Sequence, residues 1–521
     1  MFGQQGFTNG SYQPSRPKKE RKLTYVSRCS PENQHCAGIN SLALSHDGTW
    51  LFTASRDSTI KRWNLNTSAP TFEGSFEGHA DWVNDIALLD NTLLSCSSDT
   101  TVKAWRADTG ECLRTFNKHT DYVQAIVAAP LAGKFVSGGL GGEVNIWDLN
   151  SAMGATGKLE PLCANGHKES VYSLAVNETA TMMVSGSTEQ SLRVWDPRTG
   201  NKSFKLKGHT SNVKALVLDA SGRRCLSGSS DNTLRLWDLG QQRCVQTFAV
   251  HTDSVWTLTT DPSFTKVYSG GRDKNIYVTD LHTRHSVLLC TEQEPVQRLC
   301  LEPEQVPGGG ASLWAATTAS FVHKWSTPKV VAEEGNHDSG RPDFRGGTPS
   351  SSKFVAGTSP YARVRASIDQ HRSPPEPAQR SPASTISGSP AIVRHAVLNN
   401  RLHVLVKYST DAVALWDVSR GEVVARYGEV NFEDKEKELT EQVSMASWFT
   451  LDTRMGSVSV TLEPPSCFGA EMYAVDLNVP GASDELKVNL GEQMLRTLFS
   501  QWLERRGGGE ADSAAGRAGV Q

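Results

Sequence analysis

The chain has 521 residues, more than one ordinary globular core uses, so several domains or a repeat architecture are expected. Its 38% hydrophobic and 21% charged residues suit a globular protein with some disordered sequence, and a formal charge of −3 gives no electrostatic reason to expect nucleic acid or a membrane as a partner. The ten cysteines form no CxxC pair, and no apolar run is long enough to span a membrane or act as a signal core, which argues against zinc knuckles, secretion and membrane insertion.

Residues 1–21 are predicted to form a disordered, basic N-terminal arm. Its cluster SRPKKERK is typical of a solvated arm, with a nuclear import signal as the alternative. Several cysteines further along lie inside apolar strand patterns, which indicates buried free thiols and a reducing compartment. We therefore expect the protein in the cytoplasm and the nucleus.

After this arm the sequence repeats at intervals of 40 to 48 residues. Each unit places a histidine shortly before a Val-led strand, at His79, His119, His167, His209 and His251. Each of the first five units closes with an alternating strand that ends in tryptophan, at Trp63, Trp105, Trp147, Trp195 and Trp237. This period and this ending are typical of WD40 repeats, which have four short strands per blade. The predicted fold class is therefore all-β, a WD40 β-propeller with a small C-terminal α/β appendage.

The number of blades follows from counting these units. Six are clear, although the sixth (251–281) ends in YVTDL without a tryptophan. A degenerate seventh runs to Trp325, so residues 22–326 are predicted to hold blades 1–7. Residues 391–428, which end in a strand with Trp416, are predicted to be the final blade. We expect eight blades, with seven as the alternative.

Ring closure and the remaining segments complete the predicted organisation. A closed ring leaves no exposed sheet edge, and KLTYVS (22–27) is the predicted closing strand, with EVVARY (422–427) as its competitor. Residues 327–390, rich in Ser, Pro and Gly, are predicted to be a disordered insertion. Residues 429–505 are predicted to be an ancillary α/β region containing one charged helix and two strands, and residues 506–521 a disordered tail.

Histidine, serine and acidic residues recur in the blades, and we interpret them as structural ties. In WD40 repeats the loop histidine, the turn acid, a strand hydroxyl and the tryptophan form a buried hydrogen-bonded chain. A catalytic set is needed once, whereas this pattern recurs. No GxxxxGK[ST], HExxH or GxSxG motif is present, so we expect no enzyme activity, cofactor, metal or small-molecule substrate. The predicted tetrad residues are His79, Asp99, Trp105, His167, Glu189, Trp195, His209, Asp231 and Trp237.

The candidate partner-binding residues follow the repeat's valine. That position lies at the mouth of the innermost strand of a blade, and in the five units with a loop histidine it holds Asn84, Gln124, Tyr172, Lys214 and Trp256. Arg272, in the GRD turn of the sixth blade, is expected near Trp256 on the same rim. Tyr, Trp and Arg dominate interface energetics, so Tyr172, Lys214, Trp256 and Arg272 are predicted to bind a partner. The alternative is that Trp256 only covers the central channel.

Five stretches carry a closer resemblance: KLKGHTSNVKALVLDASGRRCLSGSSDNTLRLWDLGQQRC, VYSGGRDKNIYVTDL, ADWVNDIAL, SSDTTVKAW and VSGSTEQSLRVWDPRTG. Together they resemble the WD repeat-containing protein 48 family, WD-repeat activators of ubiquitin-specific proteases, over about residues 20–505. The resemblance implies a non-catalytic protein that binds the fingers subdomain of such a protease and activates it allosterically, with Lys214, Trp256 and Arg272 at the contact. Ubiquitin or ubiquitinated substrates are further partners that it implies.

Two departures from that family bear on function. Its members continue into a C-terminal ubiquitin-like domain that recruits substrates, and the sequence up to Gln521 contains none, so we expect activation without that route of substrate delivery. The insertion 327–390 is also longer than expected. A second hypothesis is a substrate receptor of a cullin-RING ubiquitin ligase, because Trp195–Arg198 spells WDxR, and a third is a scaffold with neither link.

Overall fold

The structure, a computed structural model, describes residues 23–27, 33–67, 69–154, 160–164, 166–302, 311–327, 376–440, 446–463, 466–474, 483 and 485–496. They divide into two compact units: Gly38–Gly388 forms one, and the described residues of the two chain ends form the other. The first strand, β1 (Leu23–Ser27), belongs to the chain-end unit. Within the described residues, no helix has the length and hydropathy needed to cross a membrane.

Seven four-stranded antiparallel sheets make up the unit Gly38–Gly388, each built from four strands consecutive in sequence. Sheet 1 contains β2 (Ile39–Leu44), β3 (Trp50–Ser55), β4 (Thr59–Asn64) and β5 (Thr71–Glu77), and sheet 2 contains β6 (Val83–Leu89), β7 (Thr92–Ser97), β8 (Val102–Arg106) and β9 (Cys112–Phe116). Sheet 3 contains β10 (Val123–Ala129), β11 (Lys134–Gly139), β12 (Val144–Asp148) and β13 (Leu162–Cys163). Sheet 4 contains β14 (Val171–Val176), β15 (Met183–Ser187), β16 (Ser191–Asp196) and β17 (Asn201–Lys207). Sheet 5 contains β18 (Val213–Leu218), β19 (Arg224–Ser229), β20 (Leu234–Asp238) and β21 (Arg243–Phe248). Sheet 6 contains β22 (Val255–Thr260), β23 (Lys266–Gly271), β24 (Asn275–Asp280) and β25 (Ser286–Thr291). Sheet 7 contains β26 (Val296–Glu302), β27 (Ser312–Thr317), β28 (Val322–Ser326) and β29 (Ser384–Ile386). Helix α1 (Leu149–Gly154) follows β12, and residues Pro130–Ala132 form a short 3-10 turn.

The position of a strand within its sheet decides how its sequence is patterned. In sheet 5 the second strand, β19, is buried at every residue except the first, because neighbouring sheets cover both of its faces. The outermost strand, β21, alternates between exposed and partly buried residues before the buried Phe248. Successive side chains of a strand point to opposite faces, and one face of β21 is more covered than the other, so it shows the period-2 alternation of a half-buried strand. The all-β WD40 β-propeller predicted from the repeats is thus confirmed as a fold class.

The seven sheets close into one ring. Their innermost strands are neighbours in the order β2, β6, β10, β14, β18, β22 and β26, and β26 in turn contacts β2. Ile39 and Trp63 of sheet 1 share a buried cluster with Trp314 and Val322 of sheet 7, and the amide of Ile39 donates to the carbonyl of Ala319 at 3.2 Å. The expected ring of eight blades is therefore wrong, since burial of this apolar seam closes the ring after seven.

The closing strand was also predicted wrongly. Strand β1, which contains most of KLTYVS, pairs with β35 (Val458–Leu462) of its own unit, and EVVARY lies in β33 (Glu422–Glu429), which pairs with β32 (Ala412–Asp417). The outer strand of sheet 7 is β29, which pairs with β28 so that Ile386 lies opposite Val322.

Strand β29 falls inside the segment 327–390 that was predicted to be disordered, and this part of the prediction is corrected. Before the strand, the amides of Ala378 and Gln379 donate to carbonyls of β25 at 3.0 and 2.8 Å. Ile386 is 5% exposed, so the strand carries a buried anchor that a Ser/Pro-rich composition conceals. The rest of that prediction, residues 328–375, lies outside the described residues, as do the predicted arm 1–21 and tail 506–521.

The chain-end unit contains the predicted final blade and the ancillary region. Its strands are β30 (Ile392–Val397), β31 (His403–Tyr408), β32 and β33 in a four-stranded sheet; β34 (Phe449–Asp452) and β35 beside β1; and the pair β36 (Glu471–Tyr473) and β37 (Lys487–Asn489). Helix α2 (Phe432–Leu439) and strands β34 and β35 fall on the segments predicted as one helix and two strands. Asn431 caps α2 by accepting from the amide of Asp434 at 3.1 Å. Residues 391–428 thus contain a four-stranded sheet that belongs to the chain-end unit.

Candidate protein-interaction surface

A β-bulge follows the first residue of the innermost strand in every sheet of the ring. The pairing register shifts there in all seven sheets. A bulge leaves one residue unpaired and redirects its side chain. The seven bulge residues all line one cavity of about 530 Å³ at the mouth of the ring, and they are Asn40, Asn84, Gln124, Tyr172, Lys214, Trp256 and Gln297. We call it the mouth cavity.

The four predicted partner-binding residues come together at this cavity. Tyr172 belongs to sheet 4, Lys214 to sheet 5, and Trp256 and Arg272 to sheet 6, and all four line the mouth cavity. We name this set the basic rim. The Trp256 side chain is partly buried at the mouth cavity.

Lys214 is the least solvated cation of the basic rim. Its Nζ lies 3.2 Å from the centroid of the Tyr172 ring, in cation–π contact. Burial lowers the pKa of Lys214 from its ordinary value of 10.5 to about 8. An ammonium group in this position gains from a carboxylate that can replace its lost hydration.

Arg272 is the most exposed member of the basic rim. Its side chain is 63% exposed, and its Nε lies 3.6 Å from a carboxylate oxygen of Asp253. An exposed ion pair at that distance contributes little stability, so a partner's carboxylate can compete for the guanidinium at little cost.

Sequence reasoning missed the cations on the other side of the mouth cavity. Arg56 of sheet 1 and Arg298 of sheet 7 also line it, together with Trp82 and the buried Asp85. A signal for Arg56 was present, because the turn SRD places it in sheet 1 where GRD places Arg272 in sheet 6.

Asp85 ties four sheets together, and the sequence pattern did not reveal it. Its carboxylate accepts hydrogen bonds from the Ser41 hydroxyl of sheet 1 at 2.7 Å and from the Ile126 amide of sheet 3 at 3.1 Å. Arg298 of sheet 7 lies 3.4 Å away. The residue is 5% exposed, so these partners replace water around a buried charge.

The predicted tetrads of sheets 2 and 5 are formed as hydrogen-bonded chains. In sheet 2, His79 bonds the Asp99 carboxylate and the Ser95 hydroxyl, both at 2.7 Å, and Trp105 donates to Ser95 at 2.8 Å. In sheet 5 the corresponding distances run from 2.7 to 2.8 Å, through His209, Asp231, Ser227 and Trp237. The histidine side chains are 1% and 0% exposed, and each tetrad lies within its own sheet.

The acidic members of these tetrads are held ionised. Burial by itself raises the pKa of Asp99 and of Asp231, but hydrogen bonds and charge from the paired histidine, with a threonine hydroxyl, lower each pKa well below its ordinary value of 3.8. A carboxyl whose pKa is lower in the folded than in the unfolded state contributes stability above the unfolded pKa. That contribution is lost as the pH falls below about 4.

The predicted tetrad of sheet 4 is altered. The Ser185 hydroxyl bridges His167 and Trp195 at 2.6 and 2.8 Å, but Glu189 lies 3.5 Å from His167 Nδ1 and pairs instead with Arg193 at 2.6 Å and Lys205 at 3.2 Å. Burial lowers the pKa of His167 to about 4, so this histidine is neutral at physiological pH. The longer glutamate side chain reaches past the histidine.

Sheet 7 uses a tie that the repeat pattern could not show. Glu292, which follows β25, accepts from the Trp325 indole at 2.6 Å and lies 2.7 Å from His323 Nδ1. The acid thus comes from the end of the preceding sheet, and the histidine from the same strand as the tryptophan. The sequence spacing of the regular tetrads is lost, although a carboxylate, an imidazole and an indole still meet.

A ring of seven bulged four-stranded sheets, several of which hold a buried tie between histidine and tryptophan, is the architecture of a WD-repeat β-propeller. Six segments match the family model described as WD domain, G-beta repeat, at residues 28–64, 70–106, 110–148, 160–196, 200–238 and 242–280. The chain therefore contains six WD40 repeats, and these repeats support a scaffold for protein–protein interactions. From the second match onward, each begins with the outer strand of one sheet and ends with the third strand of the next, so the repeat links neighbouring blades.

Proposed function

We propose that the protein is a non-catalytic scaffold that binds a ubiquitin-specific protease through the basic rim and activates it allosterically, promoting deubiquitination. The observation that carries this proposal is the convergence of Tyr172, Lys214, Trp256 and Arg272, from three sheets, on one cavity. The sequence resemblance supplies the class of partner and the fingers subdomain as the contact. Ubiquitin or ubiquitinated substrates as further partners, and a location in cytoplasm and nucleus, are part of the same proposal.

The chemistry of the basic rim suits a partner surface that carries carboxylates beside an aromatic or apolar side chain. Lys214 and Arg272 supply the cations, and Trp256 and Tyr172 supply large, rigid contact area. Binding activates the protease only if the propeller prefers the protease's active conformation. A difference of about 1–3 kcal/mol between the two conformations corresponds to a several-fold to hundred-fold activation.

Trp256→Ala and Arg272→Asp are expected to weaken protease binding about 30-fold or more each, which corresponds to about 2 kcal/mol. Binding is measured by calorimetry against a panel of purified ubiquitin-specific proteases, and activation by hydrolysis of a fluorogenic ubiquitin reporter. Arg243→Asp, the same charge change at an exposed arginine of β21, is the matched control and should behave as wild type. Unchanged binding and activation by both rim variants would show that the proposed contact is wrong.

Partner affinity is expected to fall about tenfold between pH 7 and pH 9. Lys214 loses its proton near pH 8 in the free propeller, and a paired carboxylate raises that pKa in the complex, so deprotonation opposes binding. The ionisable groups of Tyr172, Asp85 and Arg298 line the same cavity as Lys214. Lys214→Arg keeps its charge across this range and should remove the pH dependence. Parallel pH profiles for the two proteins would contradict the assignment.

The alternative, a substrate receptor of a cullin-RING ligase, depends on the WDxR motif. Arg198 of that motif is 65% exposed, as a docking residue must be. However, its Nε and Nη2 donate to both carboxylate oxygens of Asp196, at 3.0 and 2.9 Å, so the guanidinium is already engaged. Co-purification separates the two functions: a cullin adaptor without gain of ubiquitin-reporter hydrolysis would favour this alternative.

A further inference from the structure

The side of the mouth cavity formed by sheets 1 and 2 carries a cation, Arg56, that pairs with no carboxylate of the described residues. Arg56 is partly buried; its Nε donates to Asn40 Oδ1 at 3.0 Å and its Cζ lies 4.9 Å from the centroid of the Trp82 ring. No carboxylate of the described residues lies within ion-pair distance of this guanidinium. Burial also lowers the pKa of Arg56, although the group stays charged. A desolvated, unpaired guanidinium held in place by a ring and an amide is preorganised for an anion.

The charged residues that line the whole cavity are mostly positive, as Arg56 is. Its lining contains the cations Arg56, Lys214, Arg272 and Arg298, and Asp85 is the one acidic residue among the lining residues. Asp85 is already matched by Arg298 and by the Ser41 hydroxyl. Asp253 offsets part of the charge of Arg272 from outside the lining, so the lining residues still carry a net positive charge, although the chain has a formal charge of −3.

Shape and lining select the kind of anion. A volume of about 530 Å³ falls within the range of pockets that take small ligands or a few side chains. A nucleic-acid duplex needs an open basic face to follow its backbone, whereas these cations lie inside a concavity. The rings of Trp82 and Tyr122 line it beside Arg56 and can cover apolar side chains, and Tyr122 is 44% exposed.

We propose that the side of the mouth cavity formed by sheets 1 and 2 binds an acidic peptide segment, with Arg56 pairing one of its carboxylates while Trp82 covers a neighbouring apolar side chain. This site lies on sheets 1 and 2, apart from the sheets that carry the basic rim, and does not depend on protease activation. Bidentate pairing of a guanidinium with a carboxylate gives both energy and direction, so an Asp or Glu side chain fits Arg56 better than a neutral amide does.

The experiment uses the full chain and a short fluorescein-labelled peptide in which glutamate alternates with phenylalanine, followed by fluorescence polarisation without any protease. We expect saturable binding, and at least tenfold weaker binding of the same peptide with glutamine in place of glutamate. Arg56→Gln and Trp82→Ala should each weaken binding at least tenfold, whereas Arg243→Gln on β21 should leave it unchanged. Thermal melting of each variant checks that the propeller remains folded, and Arg56→Lys, which keeps the charge, should restore part of the affinity.

Three outcomes overturn the proposal. The first is equal affinity for the glutamate and glutamine peptides, which would mean that the cavity does not recognise carboxylates. The second is wild-type affinity in a folded Arg56→Gln protein. The third is displacement of the peptide by a single-stranded oligothymidine at lower concentration than by unlabelled peptide, which would assign the cavity to nucleic acid. Because no protease is present, failure here leaves the proposed function standing, and loss of protease activation in the rim variants leaves this site standing.

Discussion

Asp85→Ala is expected to lower the free energy of unfolding of the propeller by about 3–5 kcal/mol, the range for breaking a buried, hydrogen-bonded charge pair. The carboxylate accepts from Ser41 and from the Ile126 amide and pairs with Arg298, so its removal leaves three groups on three other sheets without their acceptor. Arg298 is 39% exposed and can recover some hydration, which places the effect toward the lower end. The measurement is urea unfolding followed by tryptophan fluorescence.

The chain offers a matched control at the same strand position. In sheets 3 and 5 this position is alanine, at Ala125 and Ala215, so the alanine side chain fits the innermost strand. In sheet 4 it is Ser173, whose hydroxyl makes one bond between sheets, to the Val213 carbonyl at 3.2 Å. Ser173→Ala should therefore cost about 1 kcal/mol. Equal losses for Asp85→Ala and Ser173→Ala would refute the role of Asp85 as a tie among four sheets.

Ser227→Ala is expected to destabilise the propeller about twice as much as Ser269→Ala. Ser227 bridges His209 at 2.7 Å and the Trp237 indole at 2.8 Å, so alanine leaves two buried polar groups without partners. Each unsatisfied group costs about 1–3 kcal/mol, which predicts a loss of about 2–5 kcal/mol. Ser269 of sheet 6 bonds His251 at 2.8 Å, and Thr279 stands there where other blades have tryptophan, so one group is orphaned.

The pair of variants tests the hydrogen-bond account and excludes a purely steric one. Both serines are fully buried in the second strand of a blade, and both substitutions remove one oxygen. A cavity or packing explanation predicts similar losses, whereas the number of orphaned groups predicts a twofold difference. Hydrogen exchange of the amides in β20 and β24 would show whether each loss is local to its own blade.

Part of the candidate site could be read from the sequence because it follows the repeat. The residue after each repeat valine is displayed by a bulge, so Tyr172, Lys214 and Trp256 were predicted at the mouth from their offset alone. Arg56, Trp82 and Asp85 were missed. Arg56 occupies a turn in the first unit, and the meaning of Asp85 depends on partners about 40 residues before and after it in the chain, and on Arg298 more than 200 residues away.

The fold class could be predicted from the sequence, as could the positions of the tetrads and the alternation of the strands, because each depends on a local period that one blade can satisfy. The number of blades, the closing contact and the origin of strand β29 became clear only from the folded chain. These depend on which apolar surfaces meet when the ring closes, as where Ile39 and Trp63 pack with Trp314 and Val322. A local sequence pattern cannot specify which sheets meet when the ring closes, because residues 391–428 form a further four-stranded sheet with the same alternation.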